Sequence, residues 1–326
     1  MRTAHETSRL LLVGAVAITC GGADYAGAQL SAEVRDGAIE LRDGAEPVAD
    51  YVYNDAEIPR PYFANLHGRG GVGVSRNHPP IEGEDEADHP SFHPGLWLAF
   101  GDLSGADNWR LQAKVVHARF LQAPTTRKAW IGFAVENLYL SADDPPQVIC
   151  KERCRYELQP MPNGYLLTLD STFYGDQAFS FGDQEEMGLG VRVATPLRVE
   201  TKTAGLPAAT GVILDSQGRR NAAEVWGKAS KWVDYRGKVD GVSAGIAIFC
   251  HPQNFRPTRF HARDYGFIAA NPFADAAFHI GPPRRTVVNP GASLRLRYGV
   301  LLHSREALSP DTLESRYEDY VQAAAP

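Results

Sequence analysis

Cysteine is scarce, with four in 326 residues, and the two that lie close together, Cys150 and Cys154, offer too few ligands for a zinc knuckle. A surplus of positive charge is missing as well. The 33 Lys and Arg against 39 Asp and Glu leave a net charge of −6, which argues against a phosphate-tracking surface. Short pairs such as Arg219-Arg220 and Arg284-Arg285 read as solvated surface. Beyond the N-terminus no apolar run approaches the roughly 20 residues that span a bilayer. The sequence has no glycine-rich phosphate loop, nucleophile-elbow serine or metalloprotease helix, so nucleotide and dinucleotide chemistry is not expected. It also has no fixed-period repeat. A content of 44 % hydrophobic and 10 % aromatic residues excludes a disordered tail and a collagen-like fibre.

The N-terminus reads as an address. Arg2 and Arg9 supply positive charge, Leu10 to Ile18 a short apolar core, and Ala26-Gly27-Ala28 a small-x-small cleavage pattern. These are the parts of a secretory signal, so residues 1–28 are expected to be a leader and 29–326 the mature chain, periplasmic or extracellular. A lipid-anchored form through Cys20 is the lesser alternative, because Ala17-Ile18-Thr19 lacks the usual preceding pattern. In an oxidising compartment Cys150 and Cys154 either staple a small loop or remain thiols. Cys250, after an apolar run, reads as a buried thiol.

Within 29–326 the dominant signal is alternation. Leu294, Leu296, Tyr298, Val300 and Leu302 share one face of a predicted half-buried strand. Leu189, Val191 and Val193 repeat the pattern, as do Tyr165, Leu167 and Leu169, and Trp109, Leu111, Ala113 and Val115. Pro162-Asn163-Gly164 is placed to close a hairpin, and the 31 Gly and 22 Pro suit a turn-rich chain. One helix is predicted near the C-terminus: Ser309 can cap it, Pro310 fits its first turn, and Leu313, Tyr317 and Val321 follow at helical spacing. The expected fold is all-β, a large antiparallel sandwich with a short C-terminal helix. No linker divides 29–326, so one domain is expected.

Four polar clusters are candidates for chemistry. Asp88-His89-Pro-Ser-Phe-His93 follows an acidic run, and its two imidazoles suit general acid–base work or metal ligation. Pro90 and Pro94 break any helix there, so this is a loop site or a solvated loop. Glu186 precedes the Leu189 strand. Trp226, Lys228, Trp232 and Asp234 mix aromatic faces with charge, as sugar binding requires and as core packing also explains. His261, Arg263 and Asp264, followed by Asn271, offer a base, an anion anchor and an acid, or an internal ion pair.

Taken together these stretches resemble a family of secreted bacterial proteins that carries the automatic label "methane oxygenase". The resemblance rests on Asp88-His89-Pro through Gly95-Leu96-Trp97, Gly190-Val-Arg192, Trp226-Gly-Lys228, Trp232-Val-Asp234-Tyr235, His251-Pro, Arg263-Asp264-Tyr-Gly and Asn271-Pro272, and spans roughly 50–303. This chain departs from the family's Asp-His-Pro-His-His-Arg-Gly-Leu-Trp by one inserted residue and the loss of one His and the Arg. A membrane oxygenase subunit would need spanning helices, and 29–326 has none in its hydropathy. The resemblance implies a β-sandwich similar to the galactose-mutarotase type, a fold used by many carbohydrate-active enzymes.

The expected function is therefore cleavage of a glycosidic linkage by hydrolysis or elimination, with a carbohydrate as partner and no nucleic acid. His89, His93, Glu186 and Asp264 are the expected acid–base and carboxylate groups. Asp88, Trp97, Trp226, Lys228, His261, Arg263 and Asn271 are the expected substrate contacts. No cofactor is expected. The rivals are a non-catalytic sugar-binding protein and a metal-dependent oxidoreductase ligated by His89, His93, His251 or His261.

Overall fold

A computed structural model describes residues 28–127 and 130–324. The expected leader with Cys20, apart from Ala28, lies outside the described residues. In chain order the strands are β1 (Leu30–Arg35), β2 (Ala38–Asp43), β3 (Glu46–Val52), β4 (Tyr62–Ala64), β5 (Leu96–Phe100), β6 (Val115–Arg127), β7 (Trp130–Leu140), β8 (Val148–Met161) and β9 (Gly164–Tyr174). They continue as β10 (Phe179–Phe181), β11 (Met187–Arg192), β12 (Val212–Asp215), β13 (Trp232–Val239), β14 (Val242–Cys250), β15 (Arg259–Arg263), β16 (Phe267–Asn271), β17 (Thr286–Val288) and β18 (Ser293–Ser304). Two α-helices are present among the described residues, α1 (Asn221–Val225) and α2 (Pro310–Ala323).

The first sheet has the order β1-β2-β3-β4-β5-β11-β16-β15, and the second β12-β13-β14-β18-β9-β8-β7-β6. Neighbours in both sheets pair antiparallel. Alternation explains how they stack. Ile39, Tyr51, Leu96, Leu189 and Ile268 of the first sheet join Phe133, Leu167, Ile246 and Val300 of the second in one buried cluster, as the facing sides of a sandwich do. The Pro162-Asn163 turn closes the β8–β9 hairpin, with Met161 opposite Gly164.

Helix α2 begins where capping predicts, with the Ser309 hydroxyl accepting from the Thr312 amide. Its Leu313, Tyr317 and Tyr320 cover the outer side of the second sheet over Phe249 and Leu301. Gly299 leaves room for the helix there, since a Cβ would sit 3.0 Å from the Tyr320 ring. The 293–302 strand is thus covered on both faces over its second half, where half-burial was expected.

One local expectation fails, and one open choice is decided. Residues 109–113 form a turn, with Leu111 at φ 62, and a strand begins only at Val115. Of the two alternatives for Cys150 and Cys154, it is the unpaired thiols that the fold contains. Both lie in β8 and face the core as free thiols, and residues four apart along a strand stand roughly 13 Å apart. Cys250 is also a buried free thiol.

Between the two cysteines, Glu152 also faces the core. Its carboxylate accepts from the Asn137 amide at 2.9 Å and the Tyr139 hydroxyl at 3.4 Å, beside a cavity of about 10 Å³. Burial pushes its pKa up, against the lowering effect of Asn137, Ser171 and Tyr139. A carboxyl whose folded pKa is raised binds its proton more tightly in the native state, so its contribution to stability is lost as pH rises through that value. The Glu152→Gln protein should therefore show a flatter stability–pH profile than the parent above about pH 4.3, and gain roughly 1 kcal/mol at pH 8. Urea midpoints from pH 5 to 8 test this; parallel profiles for the two proteins would refute it.

Candidate functional site

Strand alternation sends one set of first-sheet side chains into the core and the other outward. On the outward face Trp97 stands opposite Gly190, Gly190 opposite Ala269, and Ala269 opposite His261. The neighbouring row is Arg192, Phe267 and Arg263. Gly190 allows the indoles to lie flat on the sheet, since a Cβ there would come within 2.7 Å of Trp97 and 2.8 Å of Trp109.

Phe267 is the centre of this face. Its ring stacks on His93 at 4.8 Å and 9°, meets His261 edge-on at 5.1 Å, and lies near-parallel to Trp97 and Tyr265. His93 in turn stacks on Trp97 at 4.9 Å and on His89 at 4.8 Å. His89 is the exposed end of this column of rings, and His93 is buried within it.

The loop carrying these histidines is pinned by two buried arginines. Arg76 donates to the carbonyls of Glu86, Asp88, His89 and His93. Arg192 takes the Asp88 carboxylate with both terminal nitrogens, at 2.9 and 2.6 Å, a fork geometry suited to arginine, and lies 4.7 Å over the Tyr265 ring. Asp88 is held below its usual range by Arg192, by its hydrogen bond with His89 and by Arg76, which together outweigh its desolvation. Asp88 also contacts Nδ1 of His89 at 2.9 Å. With Nδ1–H donated there, Nε2 of His89 is the free acceptor.

Two adjacent acids stand at the entrance to β11. Glu186 is half-buried and ion-paired with Arg110. Burial raises its pKa, partly offset by Arg110, and the charges of Asp107, His89 and Glu185 also act on it. Glu185 contacts Arg263 at 3.0 Å and His261 at 3.5 Å. His261 is driven down to about 3 by burial and by Arg263, so its ring is neutral at ordinary pH. Burial and the positive charge of Arg192, His89, Arg76 and Arg60 likewise keep His93 neutral.

Several buried polar atoms on this face have no hydrogen-bond partner of good geometry among the described residues: Nδ1 of His93, Nε1 of Trp97, Nε1 of Trp109, and both ring nitrogens of His261. Unpartnered buried groups are rare in native proteins. These atoms cluster over β5 and β15 and on the loop and turn that pack against them.

Of the residues expected from the sequence, Asp88, His89, His93, Trp97, Glu186, His261 and Arg263 share this face. Trp97 offers no open stacking surface, being 1 % exposed under His93, Trp109 and Arg60; it is the foundation of the ring column. Asp264 turns aside, with its carboxylate accepting from the Ala222 amide and its carbonyl from Tyr235 and Val199. Asn271 is fully buried as a strut: its amide donates to the Gln184 and Glu185 carbonyls and accepts from Phe273 and Ala274. It positions the acidic pair and has no capacity left for substrate. Trp226 packs on Phe278 and His279, and Lys228 is exposed at the β15 edge, where its carbonyl accepts from Phe260. Trp232 is core against α2, bonded to Glu314, and Asp234 is buried against His303.

Sequence reasoning passed over Arg76, Arg192, Glu185 and Phe267. The available signal was Arg192 itself, a charge inside the otherwise apolar strand Met187–Arg192. His251 sits beyond β14 against Tyr320, so the four histidines of the metal rival do not gather. Among the described residues no group of three or more His, Cys, Asp or Glu is arranged to hold an ion.

No helix among the described residues is long and apolar enough to cross a membrane. No curated protein matches the chain. Among solved structures, an aldose epimerase homologue from C. elegans overlaps 86 % of this chain and 100 % of its own, at 9 % identity and a TM-score of 0.35. A GH36 α-galactosidase from Geobacillus stearothermophilus overlaps 85 % of this chain but 41 % of its own length, at 13 % identity and TM-score 0.37. A galactose mutarotase-like protein from Lactobacillus casei overlaps 84 % and 100 %, at 13 % identity and TM-score 0.32. These are overlaps of strand layout, too distant to transfer an activity. A family model covers residues 38–318, nearly all of both sheets and most of α2, and the chain belongs to that family, DUF6807, a family of unknown function.

Proposed function

We propose that the outward face of the first sheet binds a carbohydrate and cleaves a glycosidic linkage by acid–base catalysis. The observation that carries this is the buried, neutral His261 ring 3.5 Å from Glu185 of the Glu185–Glu186 pair, across the Phe267 ring from the His93–His89 column. The exposed Nε2 of His89 and the half-buried carboxyl of Glu186 suit sugar hydroxyls, which both donate and accept. Glu186, with its raised pKa, is the proton donor to the leaving oxygen. His89, oriented by Asp88, takes the proton from the attacking water in a hydrolysis or from the sugar carbon in an elimination. Asp88 is itself fixed by Arg192, so the pair is held in place before substrate arrives. The setting proposed is outside the cytoplasm, on the strength of the N-terminal Arg2, Arg9 and Leu10 to Ile18.

A panel of oligosaccharides should yield at least one that the protein cleaves, with the His89→Ala protein at least about a hundredfold slower. Oligosaccharide binding abolished by His261→Phe, with no cleavage across the panel, would make this a binding protein. Neither binding nor cleavage would defeat the proposal outright.

A further inference from the structure

The opposite side of the sandwich has a second feature that the first site does not use. On the outer face of the second sheet, Leu121, Arg153, Arg155, Asp170, Thr172 and Arg295 line an open groove of about 290 Å³. Register fixes the arrangement: Thr172 stands between Arg153 and Arg295, and Asp170 beside Arg155. Neighbouring strands lie about 4.8 Å apart and alternate residues about 6.7 Å apart, so three guanidinium stems rise from points roughly 7 to 12 Å from each other.

The charge is layered. The acids sit low, with Glu136, Glu157 and Asp170 side chains 11 %, 23 % and 34 % exposed. The arginines stand above them, with Arg119, Arg153, Arg155 and Arg295 at 63 %, 59 %, 58 % and 47 %. Each guanidinium has five donors, and the carboxylates engage only some of them: Arg295 gives Nε and Nη2 to Asp170, and Arg155 gives Nη2 to Glu157. A face that projects positive charge from a chain of net −6 is suited to a multivalent anion. Among the described residues no aromatic side chain lines the groove, and the nearby Tyr174 ring is covered by Arg153 at 4.6 Å. Nucleobases therefore find no stacking platform.

We propose that this groove binds an acidic polysaccharide through its carboxylate groups, as a site separate from the first-sheet face. Planar carboxylates match the arginine fork, and repeated charge along a sugar chain matches arginines spread over three strands.

Polygalacturonate is the probe, with dextran as the neutral control, measured by titration calorimetry on the full chain. The protein should bind polygalacturonate and not dextran at low ionic strength, and release it near 1 M salt, where screening acts within about 3 Å. The Arg153→Gln/Arg155→Gln/Arg295→Gln protein should bind at least tenfold more weakly, and Arg153→Gln alone at least twofold, which keeps the test decisive if the triple variant folds poorly. Arg35→Gln, in an exposed ion pair on the other sheet, should bind as the parent does, which separates loss of this groove from loss of positive charge in general. Undiminished binding by the arginine variants, no binding of polygalacturonate at low salt, or equally tight binding of a single-stranded oligonucleotide would each overturn the proposal.

Discussion

Replacing Glu186 with glutamine is expected to lower kcat on a cleavable oligosaccharide by about 10² to 10⁴-fold, the usual contribution of a positioned general acid. Glutamine keeps the shape and the half-buried setting and removes only the transferable proton. The pH dependence makes the assignment specific. Burial raises the Glu186 pKa, so the carboxyl stays protonated to higher pH than an exposed one. Activity that needs this proton falls as pH rises through that value, and this alkaline limb should vanish from the residual activity of the Glu186→Gln protein. Arg110 lowers the same pKa, so Arg110→Met should move the limb to higher pH. A glutamate that only supported the fold would leave the limb where it was. A Glu186→Gln protein retaining more than about a tenth of the parent rate, on the scale expected of a general acid, would remove Glu186 from the chemistry.

Secondary structure was legible wherever period-two alternation was clean and both partners were local. The β8–β9 hairpin, β18 and α2 follow directly from side-chain spacing, turn residues and the Ser309 cap. The 109–113 stretch shows the same alternation yet folds as a turn, because Trp109 is drawn down onto Gly190 and Trp97 instead of into a strand. In β8 the alternation Cys150, Glu152, Cys154, Tyr156 was present but carried a carboxylate on its buried side. A pattern scan reads Glu152 as solvent-facing, so the segment resembled a loop between two thiols.

The site was half legible for a related reason. Histidines and acids crowded in a short segment stand out, and Asp88, His89, His93 and Glu186 were found that way. What a sequence does not distinguish is a charged group facing solvent or substrate from one consumed by backbone. Asp264 and Asn271 have the composition of a site, but their polar atoms are spent on Ala222, Gln184, Glu185 and Phe273. Arg76 and Arg192 have the composition of surface and are among the most buried side chains in the chain. Burial of a charge depends on long-range partners, here a strand and a loop about a hundred residues apart for Arg192 and Asp88.

Arg76 carries the second large expectation. Its guanidinium is 1 % exposed and satisfies the carbonyls of Glu86, Asp88, His89 and His93, while lying 3.6 Å from the Asp88 carboxylate. Methionine of similar reach fills the space but supplies no donor. Four acceptors then lose a partner, and each one that stays buried costs about 1 to 3 kcal/mol. The loop can recover part of this by opening to water, so a net loss of about 3 to 5 kcal/mol is expected for Arg76→Met, the range for breaking a buried charged network. Opening also withdraws His93 from its stacking on Trp97 and Phe267, so near-ultraviolet dichroism of the aromatic groups should weaken even where the protein remains folded. Arg35→Met provides the contrast. That side chain is 54 % exposed in its pairs with Glu33 and Glu40, and its loss should cost no more than about 1 kcal/mol. Equal urea midpoints for the two variants would mean that the 86–93 loop stands without Arg76. The Asp88–His89 pair would then be held by Arg192 alone.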